Sequence, residues 1–370
     1  MIETGWRLLF SHDGLPDTKN WPEYLVALKQ AFAQVDEQSS MAEMKAWQPT
    51  LVSALQQLDL PAWRISQVIS DHNDWIYRYT IRESLSEMLR QGWGEPPCGF
   101  CVLTLGSGAR HESLLGPDQD NAMIIDNYPD ARHNEIDTWF QTLGERFTDK
   151  LDAAGIPLCR GHVMARWPLW RKPLDQWCEQ MRLWSRRRTV KLVQLSNILL
   201  DFHPVYGQPV LADKFRHCIL ALMPGAGLFL DEMNELQKET TVALDRLDRL
   251  SSDGQDAPHQ QAINLKRQGL LPMQAALRLM ALRKGVAAQD CKGRLAELSQ
   301  AGYLTAERAM ALNDALEYLL SLLLDAQMEA ISLGRNPDGW VDKSKLAVHQ
   351  RQQLKMALMQ IRELQKLAAS

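Results

Sequence analysis

The sequence has no long apolar run and no excess of basic residues. Its most apolar stretch, residues 316–324, is far shorter than the about 20 residues that span a bilayer, so we expect no membrane segment. There are 41 Lys and Arg against 45 Asp and Glu, a net charge of −4, which argues against a nucleic-acid partner because such proteins carry a basic excess. Residues 1–7 lack the basic and apolar segments of a signal peptide, so we expect a cytoplasmic protein.

Cysteine is present at only six positions, without the disulfide framework of a small secreted domain. Cys98 and Cys101 have the spacing of a zinc-ligand pair, but no second Cys or His pair follows at a useful distance. The pair also leads directly into an apolar segment. We therefore interpret the cysteines as reduced and structural, with a metal or redox role for this pair as the alternative.

The pattern of apolar residues changes twice along the chain, which predicts three regions. The first has apolar residues at helical spacing, most clearly between Ile65 and Leu89. The second interleaves short apolar runs with helical segments, which indicates an α/β or α+β unit. The third is helical again and is predicted to form a bundle of antiparallel neighbours. The predicted domains are 1–95, 96–212 and 213–370.

Within these regions, individual elements can be predicted from periodicity and from Gly and Pro breaks. Helices are expected over about 20–35, 41–58, 65–92, 139–154, 264–284, 291–301, 305–333 and 346–369. Buried strands are expected in three apolar runs, at 100–105, 121–125 and 195–202.

Phosphoryl chemistry is indicated where the first predicted strand ends. Gly106, Ser107 and Gly108 follow it at once, and such a turn presents backbone N–H groups to a phosphate where the next helix begins. Asp118 and Asp120 stand two residues apart at the start of the next predicted strand. That spacing places both carboxylates on one face, where they can share divalent cations. The combination predicts metal-assisted chemistry on a nucleotide.

This arrangement resembles the nucleotidyltransferases of the polymerase-beta superfamily, and more closely those related to the bacterial PII-uridylyltransferase. The segments that carry the resemblance are 106–112 (GSGARHE), 118–122 (DQDNA), 161–164, 167–170 and 265–269. The resemblance covers about residues 60–370. It implies an α+β fold, in which a nucleotidyltransferase domain with a small mixed sheet and flanking helices lies between an N-terminal helical region and a C-terminal helical substrate-binding bundle.

The resemblance also implies roles for individual residues. Gly106 and Ser107 would hold the phosphates of a nucleoside triphosphate. Asp118 and Asp120 would bind two Mg²⁺ or Mn²⁺ ions. The third catalytic and metal-binding carboxylate would be Asp201, in the predicted strand at 195–202, which would also position the acceptor hydroxyl.

Two further positions bear on this comparison. Arg110 would either bind the triphosphate or pair with Glu112. His203 stands where the family commonly has an arginine, which puts phosphate or substrate contacts near Asp201 in question.

The resemblance implies that the chain would transfer a nucleoside monophosphate from the triphosphate to a hydroxyl of a protein or small-molecule acceptor and release pyrophosphate, as protein uridylyl- and adenylyltransferases do in signalling. The alternative is a regulatory nucleotide-binding protein that uses the same pocket as a sensor with little turnover. The third carboxylate, Asp201, favours the enzyme, because a sensor does not need it.

Several other features have a plainer interpretation beside a functional one. The basic run at 186–188 with Lys191 could line a channel, but such runs are usually solvated helix faces. Lys266 could reach a nucleotide or simply lie at the surface. The four tryptophans at 167, 170, 177 and 184 have the spacing of helix packing rather than of base stacking. The nine histidines show no ligand spacing, and His111 is interpreted as incidental.

Overall fold

The computed structural model describes residues 5–251 and 256–369. Helices dominate the N-terminal part: α1 spans Val26–Phe32, α2 Met41–Gln56 and α3 Ala62–Arg90. The second and third predicted helices are confirmed, whereas the first is shorter than predicted, because a 3₁₀ turn at Glu23–Leu25 precedes α1.

Helix α2 has a capping box at its N-terminus. The Glu43 amide donates to the Ser40 hydroxyl, and the Ser40 amide donates to the Glu43 carboxylate. These two bonds satisfy N–H groups that have no partner inside the helix.

A four-stranded mixed sheet follows, with the strand order β3-β2-β1-β4. Strand β1 (Phe100–Leu105) pairs antiparallel with both β2 (Asn121–Ile125) and β4 (Phe202–Gly207), and β2 pairs in parallel with β3 (Arg171–Pro173). Every residue of β1 and β2 is buried. The continuous apolar runs at 100–105 and 121–125 therefore predicted the two central strands with the correct bounds.

Helices connect these strands and follow the last of them along the chain. They are α4 (Gly106–Ala109), α5 (His133–Ala153), α6 (Leu174–Arg187), α7 (Val190–Leu199) and α8 (Pro209–Leu222). The Trp177 indole donates to the Met123 carbonyl at 3.0 Å, and the Phe202 and Phe215 rings lie 5.2 Å apart. Such contacts fix α6 and α8 against the sheet and confirm the α+β class.

The third predicted strand was placed wrongly. Most of the apolar run at 195–202 is the end of helix α7, and β4 begins only at Phe202. A short apolar run suits a buried helix end as well as a strand, so periodicity could not distinguish them. Pro204 lies within β4, and a proline is tolerated there because β4 is an edge strand. Asp201 therefore precedes the strand instead of ending it.

The C-terminal part is a helical bundle, as predicted. Its helices are α9 (Gly227–Lys238), α10 (Leu271–Lys284), α11 (Cys291–Gln300), α12 (Ala306–Ser332) and α13 (Val348–Ala369). Thr305 caps α12 by accepting from the Arg308 amide, and Gly285 ends α10 with φ +69°.

Two details of this part differ from the prediction. Residues 264–270 do not begin a long helix: β5 (Ala262–Asn264) and a π turn at Lys266–Leu270 precede α10. The predicted loop at 334–342 contains β6 (Trp340–Asp342), which pairs antiparallel with β5. Strands of three residues carry too little periodicity to be predicted.

The chain folds into two compact units. One comprises 5–60, Arg64–Arg182 and Ile198–Ile219, and so contains the N-terminal helices together with the sheet. The other comprises Pro61–Trp63, Leu183–Asn197 and the described residues from Leu220 onward. The division into domains 1–95, 96–212 and 213–370 stays a prediction. No helix in the described ranges is long and apolar enough to cross a membrane.

Candidate active site

Three strand ends meet at the turn that follows β1. The Leu105 amide donates to the Asp120 carbonyl at 2.9 Å, and the next amide, of Gly106, donates to the Asp201 carbonyl at 3.1 Å. Asp120 directly precedes β2 and Asp201 directly precedes β4. The two acidic residues therefore flank the start of the glycine turn, one from each neighbouring strand.

The turn itself requires glycine at its first position. Gly106 has φ +60°, in the left-handed region that disfavours residues with a Cβ. A Cβ there would lie at an ordinary 3.7 Å from the Asp120 carboxylate, so glycine is required by the backbone conformation and not by space. The turn closes through amide donation from Arg110 to the Gly106 carbonyl at 3.2 Å and from Glu112 to the Ser107 carbonyl at 3.0 Å.

Asp118 and Asp120 lie together, as their spacing predicts. With Cys159 they form a group whose potential ligand atoms are all within 4.8 Å of one another. Asp118 is exposed and Asp120 half-buried. Burial raises the pKa of the Cys159 thiol to about 11, so the thiol stays protonated at neutral pH. Hard cations such as Mg²⁺ bind oxygen ligands, and the two carboxylates fit that preference.

The buried neighbours of the two aspartates, Gln119 and Asn121, explain why the carboxylates share a face. The Gln119 side-chain amide donates to the carbonyls of Thr148 and Ile156, both at 2.8 Å. The Asn121 side-chain carbonyl accepts from the Ala165 amide at 2.8 Å. Both side chains are fully buried. The extended backbone alternates its side chains, so these amides hold the segment from inside while Asp118 and Asp120 point to the other side.

Arg110 joins two carboxylates in the interior. Its guanidinium lies 3.0 Å from the Glu112 carboxylate and 2.7 Å from the Asp201 carboxylate, and all three side chains are buried. The pair with Glu112 was one of the two alternatives that the sequence offered. The pair with Asp201 was not predicted, because residues 91 positions apart give no local signal. Phosphate binding by Gly106, Ser107 and Arg110, and metal binding by Asp118, Asp120 and Asp201, stay predictions.

A second cluster, made of Asp74, His111 and His203, was missed. Its potential ligand atoms also lie within 4.8 Å of one another. The His111 and His203 rings meet edge to face with centroids 4.6 Å apart. Burial raises the pKa of Asp74 to about 7 and lowers the pKa of His203 to about 3. His111, which the sequence indicated to be incidental, is thus buried within a group of titratable residues.

The remaining candidates lie in varied environments. Arg186, Arg187 and Lys191 are exposed, as is Lys266. The tryptophans at 170, 177 and 184 are buried, as helix packing predicts, whereas Trp167 is largely exposed. All six cysteines are free thiols.

Comparison with known families supports the resemblance. Residues 46–191 match the family described as "Putative nucleotidyltransferase DUF294". Residues 227–370 match the family described as "Putative nucleotidyltransferase substrate binding domain". No curated protein matches the chain. The two matches cover most of the sequence, and the first includes the glycine turn, Asp118 and Asp120. The chain belongs to this nucleotidyltransferase family and carries its C-terminal substrate-binding domain.

Proposed function

We propose that the protein is a metal-dependent nucleotidyltransferase. It transfers a nucleoside monophosphate from a nucleoside triphosphate to a hydroxyl of a protein or small-molecule acceptor. The acceptor oxygen forms a bond to the α-phosphorus, the bond from that phosphorus to the β-phosphate oxygen breaks, and pyrophosphate leaves. The hydroxyl proton passes to a carboxylate of the site.

One observation carries this proposal. Asp120 and Asp201 flank the glycine turn through backbone hydrogen bonds to Leu105 and Gly106, and Asp118 lies beside Asp120. The carboxylates of Asp118 and Asp120 and the backbone of Asp201 thus converge on a turn that can accept a phosphate, while the Asp201 carboxylate is buried against Arg110. This convergence joins the two halves of the sequence motif with a residue from a distant part of the chain.

The acidic group fits divalent cations with oxygen ligands. Asp118 and Asp120 would hold two Mg²⁺ or Mn²⁺ ions, with Asp201 completing the set. When bound, such ions stabilise the charge on the attacking and leaving oxygens of an in-line displacement at phosphorus.

The turn supplies the phosphate contacts in this proposal. An α-helix leaves the first of its N–H groups without acceptors inside the helix. The Gly106 amide already donates to the Asp201 carbonyl, so the role of Gly106 is to shape the turn and to let a phosphate approach closely. Ser107 and Gly108, which follow it, would then offer the N–H groups.

Arg110 acts in this account as a positioning residue as well as a cation. It holds Asp201 through a charge-assisted hydrogen bond of 2.7 Å. Asp201 would orient the acceptor hydroxyl and take up its proton. The buried ion pair keeps the carboxylate in place for that task.

The experiment is a label-transfer screen. Purified protein is incubated with each α-labelled nucleoside triphosphate, Mg²⁺ or Mn²⁺, and a cell lysate, beside the double variant Asp118→Ala/Asp120→Ala and the surface control Asp213→Ala. Label fixed to an acceptor by the wild type and the control only supports the proposal and identifies the nucleotide. Thermal stabilisation by one triphosphate without transfer would instead favour the sensor function.

A further inference from the structure

A cluster of two histidines and one aspartate lies outside the acidic group. Asp74 comes from α3, His111 from the loop after α4, and His203 from β4. Each offers one ligand atom, and the three atoms lie within 4.8 Å of one another. Three separate elements therefore bring metal-ligating side chains to one place.

Asp74 is a buried carboxylate without a direct ion pair among the residues that the structure describes. Its side chain is only 4% exposed, and no hydrogen bond or ion pair reaches its carboxylate from residues 5–251 or 256–369. The charged groups around it are His111, Asp71, Arg78 and Arg7, which act through space. A carboxylate buried in this way is costly unless it is paired or coordinates a metal.

His111 is held in the orientation of a metal ligand. Its Nδ1 lies 3.2 Å from the Asp71 carboxylate. An ionised carboxylate only accepts hydrogen bonds, so this contact favours Nδ1 as the donor to Asp71, with Nε2 as the nitrogen that would bind a metal. Metal-binding histidines characteristically donate their second N–H to a carboxylate in this manner.

Arg7 balances the charge of Asp71. Its Nε and Nη2 atoms lie 3.0 and 3.1 Å from the two carboxylate oxygens. Arg7 Nη2 is also 3.4 Å from each His111 ring nitrogen, near the outer limit of hydrogen bonding. Arg7 therefore pairs directly with Asp71, whereas it acts on the buried Asp74 carboxylate only through space.

His203 completes the set. Its ring packs edge to face on His111, while its backbone pairs with Thr104 in the sheet and its carbonyl accepts from the Thr104 hydroxyl. No hydrogen bond from residues 5–251 or 256–369 reaches its ring nitrogens.

We propose that Asp74, His111 and His203 form a site for a transition-metal dication, with Zn²⁺ as the best match. Two imidazoles and one carboxylate suit Zn²⁺, which binds nitrogen at about 2.0–2.1 Å and carboxylate oxygen at about 2.0–2.2 Å. Mg²⁺ prefers oxygen ligands, so this site differs in chemistry from the acidic pair.

A metal bound there ties α3 and β4 to the loop that follows the glycine turn. His111 directly follows Arg110, and His203 comes two residues after Asp201. The site therefore fixes the backbone on both sides of the buried ion pair. Its role is structural, and it requires no nucleotide.

The test uses the full chain, stripped with EDTA, dialysed and titrated with Co²⁺ as a spectroscopic substitute for Zn²⁺. We expect visible absorption that saturates at one equivalent and is displaced by Zn²⁺. The double variant His111→Ala/His203→Ala should bind about 100-fold more weakly or not at all, as expected for removal of ligands. The control His349→Ala should titrate like the wild type. The visible absorption should also persist in Asp118→Asn/Asp120→Asn, which removes the acidic pair as a second Co²⁺ site but leaves the cluster intact.

Three results would overturn the proposal. These are no Co²⁺ absorption in the folded wild type, unchanged binding in His111→Ala/His203→Ala, and loss of binding in Asp118→Asn/Asp120→Asn. If circular dichroism shows that the double histidine variant does not fold, the single variants Asp74→Asn and His203→Gln decide. Both must then weaken Co²⁺ binding relative to His349→Ala, and wild-type affinity in either one contradicts the assignment.

Discussion

The guanidinium of Arg110 lies 2.7 Å from the carboxylate of Asp201, and both side chains are buried. Glu112 accepts from the same guanidinium at 3.0 Å. One arginine thus connects the glycine turn to the residue that precedes β4. Arg110 therefore helps to fix the position of the Asp201 carboxylate.

Replacing this arginine should destabilise the fold. In Arg110→Met, the carboxylates of Asp201 and Glu112 lose their shared cation in the interior, and breaking a buried ion pair in this way costs about 3–5 kcal/mol. Urea unfolding measures the loss. Arg249→Met is the control, because the Arg249 side chain is 72% exposed in its pair with Asp245 and should leave the urea midpoint almost unchanged. A fall of less than about 1 kcal/mol in Arg110→Met would refute the role assigned to the pair.

The variant Asp201→Asn should separate binding from chemistry. The amide keeps the shape of the side chain but is a poor metal ligand and a poor base. We expect the Kd for the triphosphate to change little, while turnover falls by at least about 100-fold. Calorimetry measures the Kd for the triphosphate, and a transfer assay measures turnover. Asp213→Asn is the surface control in both. Equal losses in binding and transfer would place Asp201 in triphosphate binding instead.

The substitution Gly106→Ala should lower the stability of the fold and the rate of transfer, whereas Gly108→Ala should affect neither. Gly106 has φ +60°, so alanine adds backbone strain of about 1–2 kcal/mol. The cost is conformational, because the added methyl group would meet the Asp120 carboxylate only at an ordinary 3.7 Å. A Cβ on Gly108, which lies in α4, would meet only the Thr104 side chain, at an ordinary 3.5 Å. Thermal unfolding and transfer assays of both variants should show the difference, and equal effects would exclude a conformational role for Gly106.

The sequence predicted best what depends on local pattern. The continuous apolar runs of β1 and β2 determined both strands, and the spacing of Asp118 and Asp120 placed their carboxylates together. The pattern failed at 195–202, where α7 and β4 share one apolar run. It also missed contacts between distant positions. These contacts are the pair of Arg110 with Asp201 and the cluster around His111. They arise from strand order and helix packing, which the pattern of neighbouring residues does not predict.

Helix α3 makes the stability of the fold depend on pH. Burial, and then the charge of Lys45, lower the pKa of His72 to about 3 from 6.5. A histidine whose folded-state pKa is depressed contributes stability above pH 6.5 that is lost as the pH falls towards 3. Between about pH 6.5 and 4.5 this amounts to about 2–3 kcal/mol.

The variant His72→Gln should remove that contribution. As the pH is lowered from about 6.5 to 4.5, the free energy of unfolding in urea should decrease less for this variant than for the wild type. The difference between the two decreases should be about 2–3 kcal/mol. Lys45, whose pKa burial lowers to about 7, titrates mainly above this range. His349→Gln, at an exposed position, should retain the wild-type pH dependence. If His72→Gln lost stability in acid as the wild type does, His72 would not be the group responsible.

The measurement that tests the account most directly compares two labels. Wild-type protein and Asp118→Ala/Asp120→Ala are given the preferred triphosphate and Mg²⁺, labelled either at the α- or at the γ-phosphate, with the acceptor identified in the lysate screen. The account predicts that the wild type fixes α-label to the acceptor and releases γ-label as pyrophosphate, and that the double variant does neither. Transfer of γ-label, or α-label transfer by the double variant at the wild-type rate, would contradict it.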